Sequence, residues 1–115
     1  MIQDFSDLDV YQLAKQLYPK VVKLARGFSP ISFHLRDQIC RAANSISANI
    51  AEGFGRSTAE FKNYLTRAIG SENELKSHFE DAFAVEEITR KQFDEIIEEI
   101  NILGKKLYTL RKNWK

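Results

Sequence analysis

From Phe93 to the C-terminal end, the apolar residues Phe93, Ile96, Ile100, Leu103, Leu107, Leu110 and Trp114 recur at alternating spacings of three and four. That spacing gathers all of them on one face of an α-helix, whereas residues on one side of a strand are two apart. A seam sustained over three heptads must be covered by other helices rather than by water. Thr89 and Gln92 form a capping-box pattern that starts this helix at about residue 90, with Ile88 placed to staple onto Phe93.

Three further stripes precede it. Val10, Ala14, Leu17, Val21, Leu24 and Phe28 mark the first predicted helix, with Ser6 as the expected N-cap, Phe5 stapling onto Val10 and Gly27 as the stop. Pro19 lies inside it, where its ring opposes the carbonyl of Lys15, so a kink is expected. Leu35, Ile39, Ala42, Ile46, Asn49 or Ile50, and Gly53 mark the second, opened by either Ser29 or Ser32, with Ala43, Ser45, Ser47, Ala48 and Ala51 keeping its surface low. In SANIAEGFGRSTAE, residues 47–60, Gly53 and Gly55 are read as positive-φ residues that end the second helix, and Ser57 and Glu60 as the capping box of the third. Phe61, Leu65, Ala68, Leu75, Phe79 and Ala82 continue the third stripe, Glu72 stands where an apolar residue is expected, and Gly70 and Ser71 thin the same helix. Four amphipathic helices with short connections predict an all-α fold, an antiparallel up-and-down four-helix bundle, in a single domain spanning residues 1–115.

Charge is segregated along the chain although the formal total is only +1. Residues 1–9 carry three acids and no base, residues 68–100 ten acids against three bases, and residues 101–115 five bases and no acid. No global field therefore draws in nucleic acid, but a local one exists at the C-terminal end. Cys40 is the only cysteine, so no internal disulfide forms, and no apolar run approaches the roughly 20 residues of a membrane span. The acidic start MIQDFSDLDV has no signal-peptide pattern, and a cytoplasmic location is expected.

The chemical constellations are mostly negative. A di-iron bundle needs paired Glu-x-x-His motifs; His34 has no glutamate three residues before it, and His78 follows Glu74 by four, so no metal site and no cofactor is expected. Cys40 in an apolar helix reads as packing rather than as a nucleophile. Gly-Phe-Gly-Arg, 53–56, lacks the preceding strand and following Gly-Lys of a phosphate loop and reads as a turn. Nothing here points to an enzyme. Asn49 and Glu52 are expected to face inward, either bonding backbone to fix the hairpin or forming a ligand site near the helix ends. Lys105, Tyr108, Lys112 and Lys115 share one face of the last helix, with Lys106 and Arg111 beside it. Cations interleaved with an aromatic suit phosphates and a stacked base, and cations in a last helical turn also offset the helix dipole; both readings stand. Tyr11, Tyr18, Val22, Phe33, Phe54, Phe83, Ile97 and Tyr108 exceed what one seam needs, which suggests a subunit interface.

LRDQICRAANSISANIAEGFGR, residues 35–56, resembles the signature of small four-helix-bundle proteins encoded in intervening sequences of bacterial 23S rRNA genes. Phe5, Asp7, Leu8, Val10, Tyr11 and Gln12 fit that family's opening, and Gly70-Ser71 with Glu74-Leu75 fit its third helix. Ser47 and Ala48 replace its usual Pro and Ser, Cys40 replaces the first of its paired arginines, and Glu72 replaces an apolar residue. The resemblance implies a homopentameric ring with no enzymatic activity, related to accessory proteins that bind RNA or DNA beside retroelement reverse transcriptases. It also implies that Asn49, Glu52, Gly53, Gly55, Gly70 and Glu74 are signature residues with structural roles. The expected function is a non-enzymatic oligomeric bundle acting as a nucleic-acid-binding accessory; the alternative is a protein-interaction scaffold that binds no nucleic acid.

Overall fold

The four stripes become four helices in a computed structural model that describes residues 1–115: α1 (Asp9–Arg26), α2 (Phe33–Gly53), α3 (Thr58–Ala84) and α4 (Arg90–Asn113). There are no strands. Sequence neighbours pack side by side and α1 also packs on α4, so the four helices close into a ring without diagonal contacts. Side-chain pairs fix the directions. Ser45 meets Ser71 and Glu52 meets Tyr64 across α2 and α3, Thr66 meets Arg111 and Glu72 meets Gly104 across α3 and α4, and Asp9 meets Lys106 while Lys20 meets Glu99 across α1 and α4. In each case one number rises as the other falls, which makes the bundle antiparallel and up-and-down.

The core is built from the predicted faces, with one shift. α1 buries Val10, Ala14, Leu17, Val21 and Ala25, while Leu24 is half-buried, because the 3.6-residue period carries the stripe one position round the helix by its last turn. α2 resolves its open choice in favour of Ile50, which is fully buried, and leaves Asn49 half-exposed. α3 buries Phe61, Leu65, Ala68, Glu72, Leu75, Phe79 and Ala82, so the carboxylate occupies the apolar position that the pattern reserves for it. α1 remains helical through Pro19, which is exposed.

Helix ends depart more from the sequence reading. Asp4, not Ser6, is the capping residue at the N-terminal end: it caps a short 3₁₀ turn, Phe5–Asp7, and Ser6 donates its hydroxyl to Asp4 at 2.6 Å. Phe5 packs edge-on against Tyr11. Neither Ser29 nor Ser32 caps α2 through its side chain. Ser29 instead donates both its hydroxyl and its backbone N–H, the latter at 2.8 Å, to Glu87, clasping the α1–α2 turn to the α3–α4 turn. The Ser29 hydroxyl first, then the Ser32 hydroxyl and the Ser29 N–H, hold the Glu87 carboxyl below its ordinary value. Ser57 caps α3 through the Glu60 N–H, but Glu60 returns to the Ser57 hydroxyl rather than to its backbone. Thr89 and Gln92 complete their box in both directions.

Of the glycines, only Gly55 has a positive φ, +86°. Gly53 is helical, and what it supplies is space: a Cβ there would stand 2.4 Å from Tyr64 Cβ, so the missing side chain is what lets α2 and α3 approach.

Candidate nucleic-acid interface

The C-terminal half of α4 presents its cations unevenly. Lys105 and Lys112 are exposed on it without an ion-pair partner, and Tyr108 between them is 55% exposed. Lys106 is engaged, its ammonium 3.0 Å from Asp9 at the start of α1. Arg111 is half-buried, donates to Thr66 Oγ1 at 3.2 Å and lies 5.3 Å from the centre of the Tyr108 ring. α4 ends at Asn113, so Lys115 is exposed beyond the helix and does not share its face by helical spacing, while Trp114 turns in against Phe61 and Phe54. The predicted six-residue face is thus two free lysines, Lys105 and Lys112, around one aromatic, with Lys115 exposed just past the helix end and Lys106 and Arg111 drawn into bundle contacts.

The fold adds one cation from α3, Arg67, that the sequence reading did not single out. The Thr66–Arg111 bond brings the start of α3 beside the end of α4. There Arg67 and Arg56 lie 4.8 and 5.1 Å from the centre of the same Tyr64 ring. Arg67 has no distinguishing local context; its neighbours are Tyr64, three residues before it, and Arg56 of the α2–α3 turn, on the side of α3 that faces α2. On the opposite flank the α1 start contributes acid, which neutralises Lys106.

The signature residues have structural surroundings. Asn49 donates to the Ser45 carbonyl at 2.8 Å and to its hydroxyl at 3.0 Å, and Ser71 donates to the same hydroxyl at 2.8 Å, which ties α3 to α2. Glu52 is exposed rather than inward-facing, because its position falls on the rim of α2 where the helix meets the turn; its carboxylate has a long 3.5 Å contact from the Tyr64 hydroxyl and its carbonyl accepts from Arg56. Gly70 and Glu74 are exposed, and a Cβ on Gly70 would meet nothing.

Burial, then the nearby Asp37, pushes the Cys40 thiol up, which suits a packing residue rather than a thiolate nucleophile. His34 pairs with Gln38, and no three His, Cys, Asp or Glu side chains gather to hold a metal ion. No helix is long and apolar enough to cross a membrane.

Fold and surface together define a small up-and-down helical bundle with a cationic, aromatic-bearing end. The chain belongs to the 23S rRNA-intervening sequence protein family, whose model matches residues 6–109. Its structure is similar to that of a protein of unknown function from the S23 ribosomal protein family of Bacteroides thetaiotaomicron, with a TM-score of 0.84 at 29% identity over 90% of this chain and 96% of the other. No curated protein matches the chain.

Proposed function

We propose that the protein is a non-enzymatic, self-associating bundle that binds the phosphate backbone of RNA or DNA through the C-terminal end of α4. The observation that carries this reading is Lys105 and Lys112 flanking an exposed Tyr108, with Lys115 just past the helix end, cations with no carboxylate partner in a chain whose other charges largely balance. Lysines without partners keep their full charge for phosphates, and an exposed ring offers a face to a base. Assembly supports it further, since symmetry repeats a weak site on every subunit, and the family resemblance points to five.

A salt titration tests it. Each phosphate contact on duplex DNA lowers the slope of log affinity against log salt by about 0.9, so one contact on each of five subunits gives about −4 to −5. Replacing Lys105, Lys112 and Lys115 together with Gln flattens that slope and leaves the melting temperature unchanged, because exposed charges contribute little to stability. Equal binding by the triple variant moves the interface elsewhere, with Arg67, Arg56 and the unpaired, exposed Arg41 next in line.

The second reading is a protein-interaction scaffold. It rests on Ile31, Phe33 and Val85, which are 90%, 57% and 60% exposed near the clasped turns at the other end of the bundle. A parent protein that binds no nucleic acid at low salt favours this reading, and the resemblance to retroelement accessory proteins makes a reverse transcriptase the first partner to test.

A further inference from the structure

Glu72 lies on the buried stripe of α3, 5% exposed, and forms no hydrogen bond or ion pair within the protein. Its carboxylate rests against α4 at Gly104, where a Cβ would stand 2.5 Å from Glu72 Oε1. Glycine at 104 therefore makes the room that the carboxylate occupies. Both residues line a groove of about 710 Å³ between α3 and α4, which is the carboxylate's route to solvent. An ionised carboxylate has two oxygens that only accept; those of Glu72 are not sealed off but open onto the groove, where water serves them in the free protein and a bound group must bring N–H donors to replace it. Burial accordingly pushes the Glu72 carboxyl up, only partly offset by Lys76.

The other lining residues say what kind of donor fits. With Glu72 set against Gly104 in antiparallel register, one turn along the groove places Ile69 near Tyr108, and one turn the other way places Lys76 near Asn101, with Lys105 and Asn73 between. A carboxylate acceptor thus lies midway between an exposed aromatic ring and a lysine, with a second lysine alongside. Arg111 lies over the Tyr108 ring, which is nevertheless 55% exposed and so keeps area for stacking. Among the nucleobases, guanine alone presents two parallel N–H donors, N1–H and N2–H, matched to the two oxygens of a carboxylate. Adenine and cytosine set an acceptor beside their single amino group, and uracil flanks its one N–H with two carbonyls, so each would aim a lone pair at Glu72.

We infer that the α3–α4 groove is a base-reading subsite for an unpaired guanine, with Glu72 accepting from its Watson–Crick edge, Tyr108 stacking on it, and Lys76 and Lys105 taking the flanking phosphates. The inference rests on the nucleic-acid reading above and adds base preference to it. Single-stranded nucleic acid is the form recognised this way, because only an unpaired base frees that edge.

Fluorescence anisotropy with the RNA hexamers UUUGUU, UUUAUU and UUUIUU, where I is inosine, tests it. The guanine strand should bind roughly tenfold more tightly than the adenine strand, the discrimination typical of a bidentate pair. Inosine, which lacks the N2 amino group, should lose most of that gain. Glu72→Gln should bring the guanine and adenine strands within about twofold of each other while leaving the salt slope intact; it removes a buried charge and keeps the shape, so folding is retained. Tyr108→Ala, at an exposed position, should weaken the guanine strand without lowering the melting temperature. Equal affinity of the parent for the guanine and adenine strands, with steep salt dependence, overturns the subsite and leaves phosphate binding standing. A guanine preference that survives Glu72→Gln also overturns it. Failure of every strand to bind removes the nucleic-acid reading and the subsite together.

Discussion

Gly53 and Gly70 are both helical glycines, and substituting them with alanine should move stability in opposite directions. At Gly53 the new Cβ meets Tyr64 Cβ at 2.4 Å, an atom anchored next to the α3 backbone that cannot swing aside. Gly53→Ala should therefore cost about 1–3 kcal/mol through overpacking. At Gly70 a Cβ meets nothing, and alanine restricts the unfolded chain more than glycine does, so Gly70→Ala should gain about 0.5–1 kcal/mol. Paired thermal melts check the sign of each. Glu72 makes a prediction of a different kind. Burial raises its carboxyl above the ordinary 4.5, so between those two values the folded protein holds a proton that the unfolded chain has released. Stability then falls as pH rises through that window. In urea melts at several pH values, Glu72→Gln should be more stable than the parent at neutral pH and converge with it below the ordinary carboxyl value. A difference that persists in acid would show that the cost of Glu72 is not its charge.

The helices differ in how their ends are made, and the end of α3 is the strained one. Its C-terminus closes through Glu87 N–H to the Ala82 carbonyl at 2.9 Å, with Glu86 in the left-handed region at φ 64°. That is the arrangement glycine normally serves after a helix, and a residue with a Cβ pays roughly 1–2 kcal/mol for it. Glu86→Gly should raise stability by up to about 1 kcal/mol, the relief being partly offset by the freer unfolded chain. The melting temperature reads it directly, and a decrease would mean that Glu86 makes a compensating contact. The position escapes a sequence reading because glutamate carries no turn signal. Thr89, three residues on, shows the converse: its box with Gln92 is legible because both partners are local.

The whole bundle measures 44 × 22 × 18 Å, a rod with chemically different ends. The free lysines lie at one end, while Ile31, Phe33 and Val85 are exposed near the other. Of the surplus apolar residues, Tyr11, Tyr18, Phe54, Phe83 and Ile97 pack against the core and Val22 is half-buried, which leaves Phe33 and Tyr108 as the exposed members of that set. The interface expected from them is correspondingly narrower. Light scattering should still give a mass near five times the 13.3 kDa chain. A mass that stays at one chain as concentration rises would remove the assembly, and with it the repetition that the proposed backbone binding uses.

What the sequence determined by itself is whatever depends on neighbours within about one helical turn. Period, stripe and local capping place four helices and most of the core, because residues three or four apart share a face and a capping box closes within four residues. It also placed Glu72 on the buried stripe, since the spacing continues through it. What only the tertiary structure decided involves partners far apart in the chain. Lys106 is neutralised by Asp9, Arg111 is turned toward Thr66, Ser29 gives up capping to hold Glu87, and Gly53 is glycine for the sake of Tyr64. The same holds for the groove: Glu72 faces Gly104 because α3 and α4 run antiparallel in one particular register, and that register is set by the packing of two whole faces rather than by any residue near either one.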